Sequence, residues 1–255
     1  MNIGKFFSEE TIKLSICNLA SSEDNSSFFA CIHLVNKMKT MKLKLILLLL
    51  IGSTTAVLAQ SPKRKNRYPV GTFHQKNQNI TGISVGLYSG FDDNEDRNVH
   101  TNGIRLEPIG MGIAVPLIPS SPISETEGQF KATMAAPPSE VINGFNLSPA
   151  GTVCDCITNG VSAGLIGQIN KQVNGISASL MMNFSESTNG IQLAMFNESY
   201  AMNGLQIGIS NTGRSARGLQ IGLVNESDNL KGVQIGLWNV NKKRKLPIIN
   251  WNFKD

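Results

Sequence analysis

The chain has 255 residues, a net charge of +5, 24 glycines, and only 16% charged and 6% aromatic residues. Glycine-rich, aromatic-poor chains suit tightly turned β-structure better than helical bundles. Charge is segregated rather than uniform: residues 61–80 hold five bases and no acid, 240–245 hold four bases and no acid, and 81–239 hold 13 acids against 7 bases. That is not a nucleic-acid footprint, and it suits solvated basic tails better than a binding stripe.

In chain order, residues 1–37 show little periodic pattern and precede an export signal. They read as over-called upstream sequence, with the true start at Met38 or Met41, or else as a long leader. Residues 38–59 form a secretory signal peptide. Lys39, Lys42 and Lys44 make the positive region, Leu45 to Ile51 the apolar region, and Val57 to Ala59 a cleavage boundary before Gln60. The apolar run is too short to span a bilayer. Residues 60–80 are basic and polar and read as a flexible lead-in.

Residues 81–140 read as an irregular β segment. "TGISVGLYSG" and "NGIRLEPIGMGIAVPLI" alternate like strands, and 116–139 is an excursion with five prolines. "DDNEDRN" at 92–98 spaces Asp92, Asn94 and Asp96 like a calcium loop. Arg97 stands where such a loop needs glycine, and Gly103 where it needs a glutamate, so a solvated acidic loop is expected. Cys154 and Cys156, in "VCDCI", are open to a plain loop role, a disulfide or two ligands of a metal site.

Residues 141–240 are repeats. Gly144, Gly160, Gly175, Gly190, Gly204, Gly218 and Gly232 mark one position at steps of 16 to 14 residues, with Gly82 and Gly103 as degenerate copies. After each glycine the pattern has period two, which means strand. Leu219, Ile221 and Leu223 flank Gln220 and Gly222, and the aliphatic set is expected inside, the Gln–Gly set outside. A further apolar position precedes each glycine by two: Ile142, Val173, Met202, Ala216 and Leu230.

Repeating a polar residue in one register is rewarded only if successive units stack in parallel. Gln192, Gln206, Gln220 and Gln234 would then form one amide row, and Asn197, Asn211, Asn225 and Asn239 another, about 4.8 Å apart. The fold class expected is therefore all-β, a β-solenoid of 14–16-residue coils. Asn-Gly pairs at Asn174, Asn189 and Asn203 also signal hairpins, which keeps an antiparallel meander or barrel as the alternative. Residues 241–255 read as a C-terminal cap, with Ile249, Trp251 and Phe253 alternating beyond Pro247.

The "GLQIGLVN…GVQIGLWNVN" run closed by "LPIINW" resembles an uncharacterised bacterial surface-repeat family over roughly residues 80–255. The resemblance implies an exported, envelope-associated protein and brings no catalytic residues with it. The histidines at 74 and 100 lie apart and outside the repeats. No Ser-His-Asp order, HExxH or phosphate loop appears. No enzyme and no cofactor are expected. The functional expectation is an exported cell-envelope scaffold with a structural or binding role, or alternatively an outer-membrane β-barrel. The outward amide row, Gln192, Gln206, Gln220 and Gln234, is the candidate binding surface. Its candidate partners are an envelope polysaccharide or another surface protein. Nucleic acid is not among them; membrane contact is open, without a transmembrane helix in the mature chain.

Overall fold

A computed structural model describes residues 63–90 and 97–253. The expected signal peptide, the upstream segment and the Asp92–Asp96 cluster lie outside the described residues.

The protein is a parallel β-solenoid of about eleven coils, neither a meander nor a barrel. The first coil pairs β1 (Lys65–Arg67) and β2 (Val70–Gly71) side by side onto β3 (Gln78–Val85). Then come β4 (Val99–Leu106), β5 (Glu140–Ser148), β6 (Val153–Gly164), β7 (Gly167–Ala178), β8 (Met182–Leu193), β9 (Phe196–Ile207), β10 (Ser210–Ile221) and β11 (Val224–Asn241), each parallel to the last. β12 (Arg244–Asn252) turns back antiparallel on β11 and ends the stack.

The register is that of the glycine column. Gly82, Gly103, Gly144, Gly160, Gly175, Gly190, Gly204, Gly218 and Gly232 pair one above the next. All but the last have φ between 122° and 140°, a region other residues rarely adopt. Each therefore folds its strand round a corner, so that one strand supplies both walls of a coil. Close approach adds a second demand. A Cβ on Gly204 would land on the carbonyl oxygen of Gly190, and the same holds up the column.

Which side faces in reverses the expectation. Gln192, Gln206, Gln220 and Gln234 are completely buried between the walls. The aliphatic residues that alternate with them, Leu205 and Ile207 or Leu219 and Ile221, lie outward. The inward apolar column is the one two residues before each glycine. It runs Ile80, Thr101, Ile142, Thr158, Val173, Thr188, Met202, Ala216, Leu230, none more than 2% exposed.

The basic lead-in also differs from expectation, since residues 65–80 form the first coil and the start of β3 rather than a flexible segment. Phe73 plugs that end, fully buried against Ile80 and Val99. Above it sits a buried ionic cluster. Arg105 pairs with Glu140 at 2.8 Å and Glu107 at 2.9 Å, and its guanidinium lies 3.8 Å from the Phe73 ring centre. Burial alone would lower the Arg105 pKa, but the two carboxylates outweigh it and hold the pKa above its ordinary value.

The Pro-rich excursion between β4 and β5 holds a 3₁₀ turn (Gly112–Leu117) and helix α1 (Glu127–Ala135), started by a Thr126–Gln129 capping box. Gly204→Val is expected to cost about 4 kcal/mol or more, through strain and overlap with the Gly190 carbonyl. Denaturant unfolding followed by circular dichroism measures it; a cost below about 1 kcal/mol would contradict the glycine column's role.

Candidate functional site

The amide row predicted as a binding surface does come together, but as the protein's spine. Gln206 Nε2 donates to Gln192 Oε1 at 2.8 Å, Gln220 to Gln206 at 2.7 Å, and Gln234 to Gln220 at 2.9 Å. The same Nε2 groups donate across the interior to carbonyls of the facing wall. Gln192 reaches Asn183 at 2.8 Å and Gln234 reaches Val240 at 3.1 Å. An amide offers two donors and an acceptor, and this geometry uses them all, so burial carries no unsatisfied-group penalty. The row cannot touch a ligand.

The other predicted ladder exists too. Asn197 donates to Asn211 at 2.9 Å, Asn211 to Asn225 at 2.8 Å, and Asn225 to Asn239 at 2.8 Å, all buried at the second corner. A third ladder was hidden in the Asn-Gly pairs. Asn203, Asn189, Asn174, Asn159, Asn143 and Asn102, each just before a column glycine, donate in turn at 2.7–2.9 Å, and Asn102 continues the surface row to Asn79 and Asn66, which precede no glycine, at 3.0 Å.

The surface that remains is the aliphatic one. After each glycine the outward positions are the first, third and fifth. They read Ile83, Val85, Leu87 in the first such coil, Leu205, Ile207, Ile209 midway and Val233, Ile235, Leu237 in the last. From Gly82 to Gly232 not one of these positions carries a charge. Ile207 is 38% exposed, Leu223 50%, Leu165 64% and Leu237 70%. β12 extends the face, because Trp251 pairs with Val233 and Ile249 with Ile235. Near its middle lies an open groove of about 720 Å³, walled by Leu106, Leu147, Leu165 and Leu180 over Ala163 and Ala178. Contiguous apolar patches beyond a few hundred Å² on a soluble surface mark interaction sites.

The opposite wall is different in kind. Glu186, Glu198, Glu226 and Asp228 lie there, and the excursion covers part of it. Phe130 of α1 stacks on Tyr200, ring centres 4.2 Å apart. Ser121 donates to Glu198, and both the backbone and hydroxyl of Ser124 donate to Glu186 Oε1. Burial pushes the Glu186 carboxyl above its usual range; the Ser124 hydrogen bonds draw it partly back, and Asp155 and Glu198 add to the rise.

Cys154 and Cys156, open to three roles by their spacing, are paired as a disulfide in the structure. His74 accepts a hydrogen bond from the Leu87 backbone, and His100 sits apart at the register of Asn79 and Val141. Among the described residues no three His, Cys, Asp or Glu side chains converge as metal ligands, and no helix is long and apolar enough to cross a membrane. No protein-family model, curated protein or solved structure matches the chain.

Two outcomes follow. Gln220→Leu should cost about 2–5 kcal/mol, because it strips Gln206 Oε1 of its donor and Gln234 Nε2 of its acceptor inside the stack. Leu219→Gln, on the outer face, should cost less than about 1 kcal/mol in dilute solution. Chemical denaturation of the pair checks this, and the reverse order would restore the aliphatic core. For Glu186, the raised folded-state pKa means that stability falls as pH climbs from the ordinary carboxylate range through the raised value. Glu186→Gln keeps the acceptor for Ser124 and removes the charge. It should therefore flatten that decline, read as resistance of residues 109–139 to proteolysis across pH.

Proposed function

We propose that the protein is an exported cell-envelope scaffold whose working surface is the aliphatic outer face. The observation that carries this is the absence of any charge at the outward positions of nine successive coils, on a protein that has placed its amides inside. A lone water-soluble scaffold gains nothing from that arrangement. One that holds an apolar partner does.

Export is supported by the signal-like segment at 38–59 and by the surface-repeat resemblance of residues 80–255. The Cys154–Cys156 disulfide suits an oxidising compartment outside the cytosol. The outer-membrane barrel alternative loses its basis with the parallel register. The polysaccharide reading loses its basis with burial of Gln192, Gln206, Gln220 and Gln234. Another surface protein is the partner class that an aliphatic, uncharged face fits.

Fractionation of expressing cells, followed by N-terminal sequencing, tests the reading. The expected result is a protein in the envelope fraction beginning at Gln60. A cytosolic protein that retains residues 38–59 would overturn export.

A further inference from the structure

We propose that the partner on the aliphatic face is a second copy of this chain, packed face to face about a two-fold axis. This rests on the reading of that face as the working surface, but not on export. Three observations carry it.

The first is area. Nine coils stacked about 4.8 Å apart give a face about 40 Å long. Spanning the first to fifth outward positions, with side-chain margins, makes it about 20 Å wide. One copy thus offers about 800 Å², and a pair buries about 1,600 Å², the size of a standard stable interface.

The second is charge. A lipid-binding face is normally rimmed by bases that meet anionic headgroups. Here the long edge beside the glycine corner is a neutral Asn ladder from Asn66 to Asn203, with Arg217 and Lys231 only in the last coils. A face without charge has no self-repulsion, and a neutral polar edge beside an uncharged apolar centre is a feature of protein interfaces.

The third is shape. The coil of Gly175 is the fifth of the nine, so a two-fold axis there sets the coil of Gly160 opposite that of Gly190 in the other copy. Ala163, on the floor of the groove, then meets Leu193. Leu193 enters the hollow at Ala163, while Ala178, in the axis coil, faces its own copy across sheets about 10 Å apart.

The test is sedimentation equilibrium of the protein purified as it accumulates in the expressing cell. Dimer is expected at micromolar concentration. Ile207→Lys/Ile221→Lys should be monomeric with an unchanged far-ultraviolet spectrum, and Glu226→Lys on the opposite wall should stay dimeric. Ala163→Trp, a tolerated surface change in a lone copy, should raise the dissociation constant at least about tenfold by filling the groove. It serves as the second probe if the lysine pair does not fold. A monomeric wild type overturns the proposal, as does a dimer indifferent to both face variants. A monomer that co-sediments with anionic phospholipid vesicles overturns it in favour of a lipid partner, while leaving the working-surface reading intact.

Discussion

The C-terminal half of the stack depends on one interaction repeated, a side-chain amide hydrogen-bonded to the same amide one coil away. Gln206 and Gln220 each use both neighbours. Without the coil above, the carbonyl lacks a donor; without the coil below, the NH₂ lacks an acceptor. A single coil of about 14 residues loses about 1–2 kcal/mol of backbone entropy per residue and recovers too little alone. The stack is therefore stable only as a whole, and its ends must be closed. β12 closes the C-terminal end with one residue above all. Asn250 is fully buried and donates to Gln234 Oε1 at 3.1 Å, ending the spine with an amide presented from an antiparallel strand. Below Gln192 the spine position passes through Ser177, Ser162 and Asn146 to Arg105 and Ser84, where an ionic cluster over Phe73 takes over.

The ladders also have direction. Along the Gln spine each NH₂ donates toward the N-terminal coils, as Gln220 does to Gln206. Along the buried Asn ladder each donates toward the C-terminal coils, as Asn211 does to Asn225. The two rows of aligned amide dipoles run opposite ways through the same interior. Their fields partly cancel, whereas the surface ladder from Asn203 to Asn66 runs the same way as the Gln spine and lies in solvent. A low-dielectric interior strengthens hydrogen bonds that are complete and penalises those that are not, so this pairing suits a polar core.

The repeat period, the parallel stacking, the glycine column and both predicted ladders were legible in the sequence. All follow from identity at fixed spacing, which only parallel register rewards. The direction of the faces was not. Alternation says that Gln220 and Leu219 lie on opposite sides but not which side is inside, and the usual preference for buried aliphatics chose wrongly. A signal did exist. Met202 and Leu230 precede their glycines by two, and the glutamines follow by two. A separation of four puts them on the same side of a strand that keeps its alternation round the corner, whereas Leu205 and Val233 fall on the other. Two apolar sets out of phase could not both be core. The one interrupted by Thr101, Thr158 and Thr188 looked weaker and is the true interior. The first coil was missed for a simpler reason: its inward plug, Phe73, is a lone aromatic in a basic segment, without periodicity to reveal it.

An interior held by hydrogen bonds changes what the exterior is for. In most domains the apolar residues are consumed in making the core, and the surface is what is left over. Here amide ladders and a narrow column of Thr, Val, Ile and Met suffice between the walls. The larger aliphatic set is left outside as a flat sheet face, with exposures such as 50% at Leu223 and 64% at Leu165. At about 25 cal/mol per Å² removed from water, such a face is a stronger driving force for association than anything else on the molecule. Because the stack grows by whole coils, every added repeat lengthens spine and face together. The same 14-residue unit that specifies the fold thus sets the size of the contact, and a change in repeat number would alter both in proportion.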